Sequence, residues 1–234
     1  MKYGYFIAGT DTDVGKTFAA AALLARAGQL GLRTAAWKPV AAGAETMAQG
    51  LRNEDALTLL QACNQPLPYD VVNPVCLAPA IAPHIAAAEQ GLKVDVAALL
   101  PHFQRVLDCS ADLVLVEGAG GWRVPLNDRE TLADLALALQ LPVVLVVAMR
   151  LGCINHALLS AEAIARDGLP LAGWIANRAT TDSMARHREN LDTLRRLLPA
   201  PLLGELPYMP GGDFAAAAQI LRLPSEVETA GVAL

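Results

Sequence analysis

The stretch Gly9-Thr10-Asp11-Thr12-Asp13-Val14-Gly15-Lys16-Thr17 decides the fold, and it follows directly on an apolar run over residues 3–8. The order is a predicted strand, a loop bounded by glycines, and Gly-Lys-Thr entering a predicted helix. Such a loop binds polyphosphate because its backbone N–H groups and the helix N-terminus face the ligand. The lysine reaches the outer phosphates and the threonine hydroxyl binds Mg²⁺. Five residues separate the glycines instead of the usual four, but the flanking strand and helix favour nucleotide binding over a simple turn.

Beyond this loop, short β-rich runs alternate with helical patterns. The alternation predicts an α/β fold, a doubly wound, mostly parallel sheet with helices on both faces, similar to P-loop NTPases. The predicted strands cover residues 3–8, 34–39, 113–117, 143–148, 172–176 and 202–206. The predicted helices cover residues 16–29, 55–63, 94–107, 132–139, 155–167, 183–198 and 214–221. Several strands are continuous apolar runs, which is typical of strands buried on both faces.

We expect one domain over residues 1–222, followed by a loose tail over residues 223–234. Residues 64–83 carry five prolines and predict an extended loop inserted over the ligand edge of the sheet. The four cysteines, Cys63, Cys76, Cys109 and Cys153, lack the spacing of a zinc site, so we expect reduced thiols.

Composition limits the partners of the chain. Apolar residues make up 54% of the sequence, yet no apolar run is long enough to span a bilayer, and the N-terminus lacks the pattern of a signal peptide. We therefore expect a soluble, cytoplasmic protein with no membrane partner. The net charge is −5 and no basic run stands out, which argues against binding to nucleic acid.

Polar residues stand where two predicted strands end. In an open parallel sheet, ligands bind outside the carboxyl ends of the strands. Lys38 ends the second strand, where it either faces a transferring phosphoryl group or extends to solvent. Glu117 ends an apolar strand and precedes glycines at 118, 120 and 121. An acidic residue in this position typically serves Mg²⁺ in phosphate-loop enzymes.

Four further positions have both a functional and a structural interpretation. Asp55 is either the N-cap of the following helix or a Mg²⁺ ligand. Asn177 suits the edge of an adenine base but also a turn, and Pro207 with Tyr208 could form the other wall of a base pocket. The helix start over residues 151–156 could bind a carboxylate through free N–H groups, or be an ordinary helix N-terminus.

Taken together, these segments resemble the dethiobiotin synthetase family, from residue 5 to about residue 207. The resemblance rests on residues 9–17 (GTDTDVGKT), 38–41 (KPVA), 50–55 (GLRNED), 72–74 (VNP), 83–85 (PHI), 116–122 (VEGAGGW), 151–156 (LGCINH), 171–177 (LAGWIAN) and 201–207 (PLLGELP). The longer phosphate loop is itself a mark of this family.

The resemblance implies a homodimeric enzyme that uses ATP, Mg²⁺, CO₂ and 7,8-diaminononanoate. CO₂ adds to one amine to give a carbamate, and the carbamate oxygen attacks the γ-phosphate of ATP. The second amine then closes the ureido ring of dethiobiotin and releases phosphate. The sequence leaves open whether ATP or CTP is preferred.

Carried onto this chain residue by residue, the resemblance implies the following roles. Lys16 and Lys38 would flank the carbamate and the transferring phosphoryl group, and Thr12 would lie near the carbamate. The metal ligands would be Thr17, Asp55 and Glu117. The nucleotide would contact Asp13, Val14, Gly15, Lys16, Thr17, Phe18, Asp55, Glu117, Gly118, Ala119, Gly120, Asn177, Pro207 and Tyr208. The substrate would contact Lys38 and, across the dimer interface, Gly152, Cys153 and Asn155.

Two positions depart from the family. Ala42-Gly43-Ala44 replaces a common Ser-Gly-Ser, so a hydroxyl that could touch the substrate is missing at Ala42. Asn190 stands where some members place a tyrosine that helps to hold the substrate carboxylate. Neither departure touches the phosphate chemistry.

Three other functions compete with this interpretation. A partition-type ATPase switch shares the fold and a deviant phosphate loop, but it carries a signature lysine where this chain has Asp11. A glutamine-dependent amidase-ligase needs a long extra domain that 234 residues cannot supply. A nucleotide-binding protein without catalysis would not need Lys16, Thr17, Lys38 and Glu117 together.

Overall fold

A parallel sheet of six strands forms the centre of the computed structural model, which describes residues 1–182 and 184–231. Among these residues the strands are β1 (Tyr3–Gly9), β2 (Thr34–Trp37), β3 (Val40–Ala42), β4 (Glu45–Met47), β5 (Gly50–Arg52), β6 (Val75–Leu77), β7 (Leu113–Gly121), β8 (Val143–Ala148), β9 (Leu171–Asn177) and β10 (Leu202–Leu206). The strand order in the sheet is β10-β9-β8-β1-β7-β2. All six predicted strands are confirmed, and all pair in parallel as predicted.

Helices cover both faces of this sheet, as expected for a doubly wound fold. They are α1 (Lys16–Gln29), α2 (Glu54–Ala62), α3 (Tyr69–Val72), α4 (Pro83–Glu89), α5 (Val96–Leu107), α6 (Leu132–Leu139), α7 (Cys153–Arg166), α8 (His187–Leu197), α9 (Phe214–Ala217) and α10 (Pro224–Gly231). The predicted start of α8 at residue 183 lies outside the described residues. Helix α9 is shorter than predicted because its last turn tightens, with Ile220 N donating to Ala217 O at 3.0 Å, and Leu221 then enters the core.

The alternating side chains of β1 show why both faces must be covered. Phe6 belongs to the apolar cluster on one face and Ile7 to the cluster on the other, and both are fully buried. Successive side chains of a strand point to opposite faces, so a strand inside such a sheet is apolar throughout. This explains the continuous apolar runs that predicted the sheet.

The proline-rich segment over residues 64–83 is not the extended loop that its composition predicted. It contains helix α3 and strand β6, which pairs in parallel with β3 through Val40 and Val75. Two of its prolines occupy helix starts, where the missing backbone N–H group costs little stability. Pro68 precedes the first turn of α3, and Pro83 begins α4.

The segment after residue 222 packs against α1, in place of the predicted loose tail. Leu223 is buried, and helix α10 follows it. Arg26 of α1 contacts Glu226 with 2.6 Å between Nη2 and Oε1. Residues 232–234 lie outside the described residues. No helix in the described part of the chain is long and apolar enough to cross a membrane.

A pH-dependent contact joins the starts of β2 and β7. The Arg33 guanidinium donates to both carboxylate oxygens of Asp112 at 3.0 Å, and these bonds lower the pKa of Asp112 from 3.8 to about 2. A depressed carboxyl pKa stabilises the fold above pH 3.8, and that stability is lost as the pH falls through the folded-state value.

We predict that Asp112→Asn lowers the melting temperature near neutral pH by a few degrees, since the contact is solvent-exposed. The difference from the unmodified chain should shrink as the pH falls below about 4. Thermal unfolding followed by circular dichroism over a pH series measures this, with the exposed Asp128→Asn as control. A gap that stays constant with pH would contradict the assignment.

Candidate active site

The phosphate loop joins β1 to α1 in a conformation that few residues accept. Asp13 and Gly15 both have positive φ, 56° and 83°. A Cβ atom on Gly15 would lie 2.1 Å from Nδ2 of Asn177, so this position needs glycine for space as well as for conformation. The Asn177 amide donates to Val14 O at 2.8 Å. Asn177 therefore ties the end of β9 to the loop, a role that the sequence did not predict.

A cavity of about 1100 Å³ opens at the carboxyl ends of the strands, directly over this loop. Its volume suits a nucleotide together with a small second substrate. Of the predicted site residues, the cavity is lined by Thr12, Asp13, Gly15, Lys16, Thr17, Phe18, Lys38, Asp55, Ala119, Gly120, Asn177, Pro207 and Tyr208. The segment over residues 80–83 forms another part of the wall, as predicted for an insertion over the ligand edge.

Lys38 lies at the centre of the polar network in this cavity. Its side chain is buried, and its ammonium contacts Glu117 Oε1 at 2.5 Å and Asp55 Oδ2 at 2.9 Å. Burial disfavours the charged ammonium, but the Glu117 and Asp55 carboxylates outweigh burial and raise the pKa of Lys38. The open question of whether Lys38 faces the ligand edge or solvent is thus decided for the ligand edge.

The same carboxylates have further contacts. Thr17 donates its hydroxyl to Glu117 Oε1 at 2.9 Å. Burial would raise the pKa of Asp55, but the Lys38 charge overcomes this effect and lowers it, which keeps Asp55 ionised. Burial raises the pKa of Glu117, and Lys38 opposes that rise. The site therefore contains two carboxylates and one hydroxyl within reach of one lysine.

Thr17, Asp55 and Glu117 suit a Mg²⁺ ion. Mg²⁺ takes oxygen ligands, and proteins bind it through one or two carboxylates with substrate phosphates completing the shell. Glu117 Oε2 is buried and has no hydrogen-bond partner in the described structure, so it is an acceptor in need of a cation or donor. Within residues 1–182 and 184–231, no group of three or more His, Cys, Asp or Glu residues is placed to hold a metal ion.

Lys16 provides the second positive charge at the loop. Its ammonium donates to the backbone carbonyl of Asp11 at 3.0 Å and so lies across the loop it belongs to. Burial, helped by repulsion from Lys38, lowers the pKa of Lys16 from 10.5 to about 8. A polyanion in the cavity would offset both effects, so this lysine favours a phosphate ligand.

The predicted substrate residues Gly152, Cys153 and Asn155 do not line the cavity of their own chain. They form the start of α7, where Gly152 has a φ of 94°. The connection to the phosphate loop is Arg150, whose Nη2 lies 2.6 Å from Asp11 Oδ2. Sequence reasoning missed this ion pair because its two residues are 139 positions apart.

The loop, the buried lysine and the carboxylates define a P-loop nucleotide-binding protein. A family model described as an AAA domain matches residues 3–215. Solved structures with the same fold include a ParA family ATPase from Chlorobium tepidum, at 13% identity over 100% of this chain and 95% of that one, TM-score 0.56. MinD from Pyrococcus horikoshii matches at 17% identity over 98% of each chain, TM-score 0.55.

Proteins with higher sequence identity show which family of P-loop proteins the chain belongs to. The ATP-dependent dethiobiotin synthetase BioD of Pseudomonas aeruginosa is 58% identical over 94% of this chain and 96% of its own length. The enzyme of the same name from Marinobacter nauticus is 50% identical over 94% of both chains. The chain belongs to the ATP-dependent dethiobiotin synthetase family, as its sequence motifs predicted. The likeness to ParA and MinD shows the fold alone, so the partition-type alternative is not favoured.

The pairing of Lys38 with both carboxylates leads to a binding prediction. The ammonium and Mg²⁺ need the same oxygens, so Lys38→Met should tighten Mg²⁺ binding to the nucleotide-free protein, about tenfold or more. Isothermal titration calorimetry measures the dissociation constant directly. Lys93→Met, which removes an exposed lysine, is the control. Unchanged or weaker Mg²⁺ binding in Lys38→Met would show that the two cations do not compete.

Proposed function

We propose that this chain catalyses the ATP- and Mg²⁺-dependent ring closure of 7,8-diaminononanoate with CO₂ to dethiobiotin, a step of biotin biosynthesis in the cytoplasm. The observation that carries the proposal is the pair of buried lysines, Lys16 and Lys38, at one phosphate loop. Identity of 50–58% to dethiobiotin synthetases over nearly the whole chain supports the same reaction.

The reaction needs a polyanion and a second anion in one cavity. An amine attacks CO₂ and loses a proton, giving a carbamate. A carbamate oxygen attacks the γ-phosphorus of ATP, and the bond from that phosphorus to the bridging oxygen of ADP breaks. The second amine attacks the carbonyl of the resulting carbamic–phosphoric anhydride, loses a proton, closes the ring and expels phosphate. Positioning and charge neutralisation are what a protein contributes to such a transfer.

We assign these contributions to residues that line or support the cavity. The loop over residues 13–18 holds the phosphates, with Lys16 at the outer ones. Lys38 pairs with the carbamate and the transferring phosphoryl group, and Thr12 donates to the carbamate. The adenine lies between Asn177 and the Pro207-Tyr208 segment. The backbone over residues 118–120 forms the floor, where glycine allows close approach.

Thr17, Asp55 and Glu117 would hold Mg²⁺. When bound, the metal neutralises charge on the β- and γ-phosphates. Once the two carboxylates serve a metal, the Lys38 ammonium loses its present partners and can pair with the carbamate. Before a metal binds, the contact of Lys38 with Glu117 would keep this buried pair of charges satisfied.

We propose further that the enzyme is a homodimer whose substrate site is shared. The start of α7, with Gly152, Cys153 and Asn155, lies outside the cavity of its own chain. The adjacent Leu151 is 93% exposed, as expected for an apolar side chain that packs on another protomer. N–H groups at this helix start would bind the tail carboxylate of the substrate in the partner's cavity.

The activity itself is tested by release of ADP in the presence of ATP, Mg²⁺ and bicarbonate. We predict that release requires 7,8-diaminononanoate, and that Lys16→Ala and Lys38→Ala each lower kcat by about 10²–10³-fold with the fold intact. The surface variant Lys93→Ala should retain full activity. Release without any diamine, or stimulation by DNA, would instead indicate a switch ATPase, and binding of ATP without turnover would indicate a non-catalytic protein.

The shared site is tested by mixing two inactive variants. Lys38→Ala damages the cavity, and Gly152→Pro disrupts the start of α7, because proline lacks the N–H group and cannot adopt the φ of 94° found there. In a mixed dimer one site receives both intact parts, so random exchange should restore about a quarter of the unmodified activity. Subunit exchange is verified with differently tagged protomers. Mixed dimers without activity, or a monomer in sedimentation, would contradict the proposal.

A further inference from the structure

The hydroxyl of Tyr69 joins two asparagines that the proposed function leaves without a role. It accepts from the backbone N–H of Asn53 at 2.7 Å and donates to Oδ1 of Asn73 at 3.0 Å. Both asparagines belong to motifs of the sequence, residues 50–55 and 72–74, in which only Asp55 was given a chemical role. Both are buried, with 6% and 2% of their surface exposed. Burying an amide side chain costs free energy because the amide loses its hydrogen bonds to water. A buried asparagine therefore needs a structural or functional reason.

Asn73 holds the end of the strand that carries Lys38. Its Nδ2 donates to the backbone carbonyl of Lys38 at 2.7 Å and to that of Val75 at 3.2 Å. The backbone N–H of Lys38 donates to Val72 O at 2.8 Å. Both the backbone N–H and the backbone carbonyl of Lys38 are therefore hydrogen-bonded to residues of one short turn. Its side chain starts from a backbone that cannot shift independently of that turn.

Asn53 holds the helix that carries Asp55. Its Oδ1 accepts from Ala56 N at 3.3 Å and so caps α2, two residues before Asp55. Its Nδ2 donates to Ala42 O at 3.2 Å. The cap thus connects the start of α2 to Ala42, which ends β3 and is the position where the family hydroxyl is missing.

We propose that Asn53, Tyr69 and Asn73 are positioning residues, which through the Tyr69 hydroxyl set the distance between Lys38 and Asp55. This proposal rests on the roles assigned above to Lys38 and Asp55. The hydroxyl oxygen of Tyr69 contacts both asparagines. Asn73 is bonded to the backbone of Lys38, and Asn53 caps the helix that contains Asp55. The Lys38–Asp55 contact of 2.9 Å is the result.

The hydroxyl is suited to act as donor and acceptor together. Burial, reinforced by the neighbouring Cys76, raises the pKa of Tyr69 to about 12, so it keeps its proton. The Arg52 guanidinium lies 4.2 Å from the centre of the Tyr69 ring, which fixes the ring from the other side. Networks in which every buried member is satisfied are rigid, and rigid support is what a catalytic lysine needs.

The chain offers a control at the other end of the same strand. Asn64 donates through Nδ2 to Leu32 O at 2.8 Å and accepts from Thr34 N at 2.7 Å. It anchors the start of β2 by the same kind of bonds with which Asn73 anchors its end. Asn64 is exposed and does not line the cavity, whereas Asn73 is buried. Differences in kcat and Mg²⁺ affinity, rather than in melting temperature, therefore distinguish a positioning role from a merely structural one.

The experiment compares Tyr69→Phe, Asn73→Ala and Asn64→Ala in kcat, KM for ATP, Mg²⁺ affinity and melting temperature. We expect Tyr69→Phe to lower kcat about tenfold and Asn73→Ala about 10²-fold, with KM for ATP changed less than about twofold. Tyr69→Phe should also weaken Mg²⁺ binding, about tenfold, because the cap of the helix that carries Asp55 is displaced. Asn64→Ala should lower the melting temperature but leave kcat and Mg²⁺ affinity unchanged. Tyr3→Phe controls for loss of a tyrosine hydroxyl.

Two results would overturn the proposal. One is unchanged kcat and Mg²⁺ affinity in Tyr69→Phe, assayed well below its melting temperature. The other is an equal loss in Asn73→Ala and Asn64→Ala, which would show a general effect of stability. Diamine-dependent turnover by the unmodified chain tests the proposed function separately, and Mg²⁺ affinity reports on the network even without turnover.

Discussion

The buried ion pair between Lys38 and Glu117 is the interaction on which the rest of the site depends. Both side chains are almost fully removed from solvent, and each offsets the cost of burying the charge of the other. The pair forms because β2 and β7 lie side by side in a register that pairs Trp37 with Val116, so that the next residues, Lys38 and Glu117, are neighbours. The sheet order is therefore a requirement of the chemistry as well as of the core.

Around this pair, side chains from distant segments fix one edge of the sheet. Asn177 at the end of β9 supports the phosphate loop from below, and its contact leaves room only for glycine at position 15. Asn73 and Asn53 support Lys38 and the start of α2. The lysines of the cavity thus extend from backbone segments that are held by hydrogen bonds on several sides. Such preorganisation favours transfer of a phosphoryl group because little rearrangement remains for the transition state.

Much of this could be predicted from the sequence. Continuous apolar runs and the Gly-Lys-Thr motif predicted β1, α1 and the parallel sheet. The rule that ligands bind at the carboxyl ends of parallel strands predicted that Lys38 and Glu117 lie at one edge. The elements of the proline-rich segment were missed because Pro68 and Pro83 stand at helix starts, where proline is tolerated. The bonds of Asn73 and Asn177 were missed because they join residues brought together only by tertiary packing, and no local pattern encodes them.

The central claim is that Lys38 pairs with Asp55 and Glu117, the proposed metal ligands, until a metal and a nucleotide replace it. Crystal structures with and without Mg²⁺ and a non-hydrolysable ATP analogue test this most directly, through the distance between Lys38 Nζ and Glu117 Oε1. That distance is 2.5 Å in the structure described above. The account predicts that it lengthens beyond hydrogen-bonding range in the complex, with Lys38 turned toward the γ-phosphate. An unchanged contact with metal and nucleotide bound, or a nucleotide bound outside the cavity, would contradict it.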